Sequence, residues 1–388
     1  MRGAQTNWRL TRAWRLSTVV PLAVLAVSCE TRPRHPPRQR KPQPALSTDA
    51  APEPAPSDTP PIPAPIAQAI AEVRDQKLEI LPPRDDTPRL AFGKGRLVQA
   101  MSDKAVFRET KDGAIVAESD LGTVLTVARG IDGSLIALGL TGGVRLESRF
   151  TKPRAFAHVA FFPGAALFPD LSDPSHFFVF YAGEKQLLHY AFEAEAGSFL
   201  PIEDQFPLEG CVGAPVLLRD GAFVCTTTDG IERRAPRGRE TRFKLPTVVG
   251  AVRLVPAKRL DELFAVLATG EVIHVRLQVG APVLGTFQLP ARPFAAVGNA
   301  EALAFVLVSR PAPGSPRHFT LSVTDLEGQE RYKAELPSPS ASAGDDWLET
   351  VIGDKNLAIS EFEPLVAVGG PDSVGVWDYA RAAAVFTR

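Results

Sequence analysis

Phosphate-binding loops, Cys-x-x-Cys pairs, His-Glu-x-x-His and Gly-x-Ser-x-Gly are all missing from these 388 residues. Without them, P-loop nucleotide hydrolysis, dithiol redox chemistry, zincin proteolysis and α/β-hydrolase catalysis have no basis in the sequence. Histidine is scarce. His35, His158, His176, His189, His274 and His318 stand far apart along the chain, so neither a metal set nor a cofactor is expected. An excess of charge of one sign is also lacking: 43 Lys and Arg face 44 Asp and Glu, which removes the electrostatic case for nucleic acid as a partner. Cysteine numbers only 3, too few for a disulfide scaffold to replace a hydrophobic core.

No apolar run is long enough to cross a bilayer. The best, Leu16–Val27, has 12 residues and as a helix reaches about 18 Å against a hydrocarbon core of about 30 Å. It follows Arg2, Arg9, Arg12 and Arg15 and precedes Ser28-Cys29, the order of a charged n-region, an apolar h-region and a small-residue cleavage site. Residues 1–28 are therefore expected to be a signal peptide, and the domain to work outside the cytoplasm.

The stretch Leu25-Ala26-Val27-Ser28-Cys29 resembles the lipobox of bacterial lipoproteins, with Ala26 where Leu is usual. That resemblance implies a lipid on Cys29, hence a membrane partner through the anchor. Glu30 in place of aspartate favours the outer membrane.

Residues 29–65 follow as a tether. They hold 12 prolines between positions 31 and 65 and the basic run Arg32-Pro-Arg-His-Pro-Pro-Arg-Gln-Arg-Lys41, a composition that cannot bury enough apolar surface to order itself. Residues 66–84 are expected to form a short helix and lead-in, because Ile66, Ile70 and Val73 share one helical face.

From residue 85 to 388 one pattern recurs seven times: a nearly continuous apolar strand, a turn, then a more polar strand. The copies begin at Arg96, Ser134, His176, Gly221, Glu262, Ala302 and Pro364. Their turns, marked by Asp103, Gly142, Gly183, Gly230, Gly270, Gly314 and Gly370, lie 39, 41, 47, 40, 44 and 56 residues apart. A period of about 40 to 45 is that of a propeller blade. A strand that is apolar on both faces must be covered on both, as the middle strands of a blade are by neighbouring blades. No helical segments separate the strands, which excludes parallel βαβ folds. The expected fold is all-β, a seven-bladed β-propeller, and a monomer.

Two copies resemble WD40 repeats most clearly. Asp132-Gly-Ser-Leu-Ile-Ala-Leu-Gly-Leu-Thr-Gly-Gly-Val-Arg-Leu-Glu-Ser148 follows the family's turn and strand order, and Leu365–Asp378 keeps the Trp377-Asp378 pair. Asp325 stands at the matching place in the sixth copy. No copy has the Gly-His dipeptide that normally precedes a blade, so the family's buried hydrogen-bond network is missing or rebuilt. Quinoprotein-like propellers are a related possibility.

Three sets of residues are candidates for function. Arg233, Arg234, Arg237, Arg239, Arg242 and Lys244 are opposed within their segment by Glu240 alone, a patch suited to an anionic polymer or an acidic protein. Asp345, Asp346 and Trp347 lie in a Pro- and Ser-rich insertion suited to partner contact. Cys211 and Cys225 remain for a disulfide. With Asp220-Gly221 as a two-residue turn, Cys225 falls opposite Val216, so bridging requires a bend at Gly210 or Gly213. These features imply an envelope-anchored scaffold that binds a protein or polymer. The alternative is a lactonase- or quinoprotein-like enzyme acting in the central channel.

Overall fold

The computed structural model describes residues 88–387, apart from residues 141, 159–164, 182–184, 194–196, 213, 236–239, 279, 310–317, 338–355 and 371–372 and the side chains of residues 158, 203, 204 and 252. The signal segment, Cys29, the tether, the residue 66–84 lead-in, Arg237, Arg239, Asp345, Asp346 and Trp347 lie outside the described residues. Among those described there are 28 strands and one 3-10 turn. No described helix is long and apolar enough to cross a membrane.

The strands fall into seven consecutive antiparallel units of four, spanning 90–120, 124–158, 165–207, 216–244, 251–288, 292–335 and 357–387. They are blades 1 to 7, and the strands of each are lettered A to D in chain order. A strands meet A strands of adjacent blades around the axis, while D strands such as Glu240–Lys244 and Val283–Gln288 are mostly exposed. Blades 2 and 3 are further joined at the rim, where their D strands pair in parallel through Ser198 with Ala157 and Phe199 with His158.

The seven apolar runs read from the sequence are the B strands. Their two-sided apolar character has a direct structural cause, because alternate residues enter different cores. In blade 2, Leu135 and Ala137 pack against blade 1, and Ile136 and Leu138 against blade 3. In blade 3, Phe177 and Val179 face blade 2, and Phe178 and Phe180 face blade 4. Seven such clusters exist, each shared by two neighbouring blades. At about 25 cal/mol per Å² of buried apolar area, these interfaces are the main stabilising term.

Among the described residues every blade is contiguous in sequence, and none of the described strands is exchanged to close the ring. Leu90, Phe92 and Leu97 of blade 1 pack on Leu365, Val374, Val376 and Phe386 of blade 7. The Gln99 side-chain amide donates to Ser373 O at 2.9 Å across the same joint.

The Trp377-Asp378 pair does structural work. Trp377 is buried between blades 6 and 7 and lies over Gly375, where an added Cβ would meet the indole at 2.3 Å. Asp378 Oδ1 accepts the Ala380 and Arg381 amides in the C–D turn. Asp325 does the same for Glu327 and Gln329 in blade 6.

Candidate functional site

Where the A strands end and turn into B strands, the axial channel widens into a cavity of about 400 Å³. Its wall includes Phe168, Pro169 and Leu171 from blade 3, Val216–Leu218 from blade 4 and Leu254–Pro256 from blade 5. The charged residues among its described lining are Arg129, Arg219, Arg253 and Glu361. Arginine thus outnumbers glutamate three to one among the described lining residues.

Residues 360–363, the A–B turn of blade 7, organise it. Arg219 of blade 4 donates from Nη2 to both Glu361 oxygens at 3.1 and 3.0 Å, linking two blades on opposite sides of the ring. Its Nε donates to Ala257 O of blade 5 at 3.1 Å. Arg129 of blade 2 lies over the Phe362 ring, 5.3 Å from the centroid. Asn299 of blade 6 donates to Ser360 O at 2.7 Å, and Thr110 of blade 1 to Glu363 at 3.1 Å. Burial lowers the Arg129 guanidinium below its ordinary value; Glu361 opposes that shift and Arg219 adds to it.

The hydrogen-bond network absent from the WD40 pattern is rebuilt on this same end of the blades. In blades 2, 4 and 5 an acid in or beside the A–B turn takes a base from strand C of its own blade. Asp132 pairs with Arg145 at 2.8 Å, Asp220 with Arg233, and Glu262 with Arg276 at 2.6 Å and His274 at 3.1 Å. In blades 2 and 4 the other carboxylate oxygen accepts the backbone amide two residues on, Ser134 and Ala222.

The basic cluster between Arg233 and Lys244 is therefore largely neutralised where it is described. Arg233 goes to Asp220, Arg234 lies 3.6 Å from Glu240, and Arg242 lies 2.7 Å from Glu240 and 3.2 Å from Glu232. These residues belong to strands C and D of blade 4 and not to a loop between blades. Asp220 and Glu232 lie outside the segment that the sequence count covers, which is why Glu240 looked alone. Burial raises the Glu232 carboxyl above its ordinary value; Glu240 adds to the shift and Arg242 opposes it.

Cys211 and Cys225 form a disulfide with Cα atoms 5.5 Å apart. The expected register is corrected by one residue: Val216 faces Val224, not Cys225. The hairpin loop has three residues, Arg219, Asp220 and Gly221, because Gly221 takes a left-handed φ of +83° while Leu218 N still donates to Ala222 O. The chain turns at 208–211, and Val212 N donates to Thr226 O at 2.9 Å, which lays Cys211 beside Cys225.

The expectation that the histidines are isolated also requires correction. His176 and His189 are side by side, ring centroids 5.0 Å apart, with Asp170 Oδ2 at 3.1 Å from His189 Nε2. In the B–C hairpin His189 faces Phe178, so His176 is its diagonal neighbour on the same face. Registering that hairpin from the sequence would have found the pair.

The channel arginines and Glu361 escaped the sequence reading because the A strands, unlike B and C, have no strong pattern. One signal was available: Arg129, Arg219 and Glu361 each immediately precede or open the turn before an apolar B strand.

No protein-family model and no curated protein matches the chain. Solved structures do match by shape. The β-propeller domain of Cps50 (Swd1) from Myceliophteria thermophila is 12% identical with a TM-score of 0.52, over 76% of this chain and 96% of that one. A chain of the mitotic checkpoint complex gives 10%, 0.50, 76% and 90%. The extracellular domain of BT4673 from B. thetaiotaomicron gives 9% and 0.50 over 76% of this chain but 40% of its own. At these identities the likeness is one of fold: a WD40-like β-propeller.

Proposed function

We propose that this protein is an exported, envelope-anchored binding scaffold whose axial channel receives an acidic segment of a protein partner. The observation that carries the reading is the channel mouth, where arginines from three different blades line an apolar-walled cavity against a single described glutamate. Such a site rewards a carboxylate-bearing side chain or terminus, since guanidinium pairs carboxylate with matched geometry and partial desolvation strengthens the bond. Glu361 is already engaged by Arg219, an arrangement of positioning more than of acid–base chemistry, and so it favours binding over the enzymatic alternative. The Cys211–Cys225 disulfide supports export, since such bonds persist in oxidising compartments. On this reading residues 1–28 direct export, Cys29 carries the lipid, and the tether lets the domain stand off the membrane.

The test is binding of labelled acidic peptides to the purified full-length protein, with their amide counterparts as controls. Arg129→Ala and Arg219→Ala should each weaken binding about tenfold or more, and Lys244→Ala should not. Equal affinity for acidic and amidated peptides would sink the reading. Export and anchoring are tested apart from this: Cys29→Ala should move the protein from the membrane to the soluble fraction.

A further inference from the structure

The A–B turns offer a natural comparison between blades. In blades 2 and 4 the strand C residue opposite Ile136 and Val224 is an arginine, Arg145 and Arg233, and it serves the turn aspartate. In blade 3 the corresponding residue, opposite Phe178, is His189. Two places earlier on strand B, where blades 2 and 4 have Ser134 and Ala222, blade 3 has His176. At these two neighbouring positions blade 3 thus carries a pair of imidazoles where blades 2 and 4 carry a fixed cation and a small residue.

A single imidazole would suffice to replace arginine as the partner of Asp170. The second, 3.9 Å from Asp173, brings another nitrogen to the same place. Asp170, His176 and His189 each offer one ligand atom, and these lie within 4.8 Å of one another. In a tetrahedral zinc site with bonds of about 2.0 to 2.1 Å, ligand atoms stand roughly 3.3 Å apart. The Asp170–His189 pair is already at 3.1 Å, so filling the site asks only that the His176 ring swing inward. Its side chain is the most exposed of the three, at 30% against 14% for Asp170 and 6% for His189.

The surroundings hold two ligands in place and leave a way in. Ser172 donates from its amide and hydroxyl to Asp170 Oδ1 at 2.8 and 2.6 Å, which leaves Oδ2 turned to the imidazole. Phe178 stacks on His189 at 4.5 Å and fixes the plane of its ring. Asp173 Oδ2, 3.9 Å from His176 and half exposed, or water, is available for a fourth position.

We infer that Asp170, His176 and His189 form a binding site for a divalent cation of the zinc class, at the rim of the channel mouth. Imidazole with carboxylate suits zinc and its first-row neighbours better than magnesium or calcium, which prefer oxygen alone. Asp170 lies between Pro169 and Leu171 of the channel wall, so the ion would add positive charge to the same mouth. Three protein ligands leave one coordination position for an incoming group.

The experiment uses the untagged full-length protein, stripped of metal and titrated with Zn²⁺ against a chromogenic chelator. One equivalent should bind. His176→Gln and His189→Arg should each weaken it by about 100-fold or more, beyond the 10–100-fold that outer-shell changes cost. His35→Ala and His274→Gln should leave it unchanged. His189→Arg recreates the ion pair of blades 2 and 4, so its thermal unfolding without zinc should match the parent. Should that variant misfold, the more exposed His176→Gln decides alone. Failure to bind zinc, or binding that survives both substitutions, overturns the site. No partner is present in this measurement, so it stands or falls separately from the channel reading.

Discussion

Two populations of arginine share this ring and behave differently. On strands C and D, each acid lies close in sequence as well as in space: Asp132 with Arg145 and Asp220 with Arg233 are 13 residues apart, Glu262 with Arg276 14, and Glu232 with Arg242 10. In the channel, Arg219 finds Glu361 142 residues away, in a blade across the ring. The first kind of pair forms as soon as its hairpin forms. The second can form only when the ring has closed, and it therefore reports closure. The difference teaches that these blade pairs are set by one hairpin, whereas the channel pair is set by the ring.

The largest expected effect comes from removing the cross-ring acid. Glu361→Gln leaves Arg219 without its carboxylate partner and removes the negative charge that opposes desolvation of the half-buried Arg129. The pair is about a quarter exposed, so its loss falls between the exposed and buried limits, roughly 1–3 kcal/mol. Urea unfolding of the variant should show this loss at neutral pH. If Glu361→Gln unfolds at the parent's midpoint, the channel pair does not hold the ring and the contrast with the outer strands disappears.

Next in size is Asp132→Asn, which removes a local pair with a well-buried arginine and should cost about 1–2 kcal/mol. Burial alone would raise the Asp132 carboxyl, but the Ser134 amide together with Arg145 opposes it, and the carboxyl is held below the ordinary carboxylate value. A depressed acid contributes stability that is complete above its unfolded value and is lost as pH falls through the folded one. The gap between parent and variant should thus be full at neutral pH and narrow only under strong acid. A gap that is constant down to acid would mean that the charge of Asp132 contributes nothing.

How much of this could be read from the residues follows the same division between local and distant. The count of seven, the B and C strands and the WD40-like turns at Asp325 and Asp378 were legible, because each lies within one hairpin and repeats. The inside of the channel was not. Its residues come from separate A strands, with Val216–Leu217 only two residues long, and they meet through closure of the ring. His176 and His189 occupy a middle ground. They stand 13 positions apart, and their meeting depends on the register of the B–C hairpin. The same applies to the disulfide, where Gly221 adds one residue to the loop and shifts every partner along the strand.

The smallest effect, and the one of opposite sign, belongs to Glu232. It is 1% exposed, with Arg242 and Glu240 at its edge, and burial together with the neighbouring Glu240 raises its carboxyl. A raised acid binds its proton more readily in the folded protein than in the unfolded chain. Stability is therefore lost as pH climbs from the ordinary carboxylate value through the raised one, and at higher pH the full cost remains. Glu232→Gln removes that titration but also gives up the ion pair with Arg242, so the net gain above the window should be small, within about 1 kcal/mol. Thermal unfolding from acid to mildly alkaline pH should show the variant's advantage growing with pH, the reverse of Asp132→Asn. If Glu232→Gln instead loses stability as pH rises, the pair with Arg242 outweighs desolvation. Blade 4 would then be stabilised by its outer charges just as blade 2 is, and local pairing would hold in both.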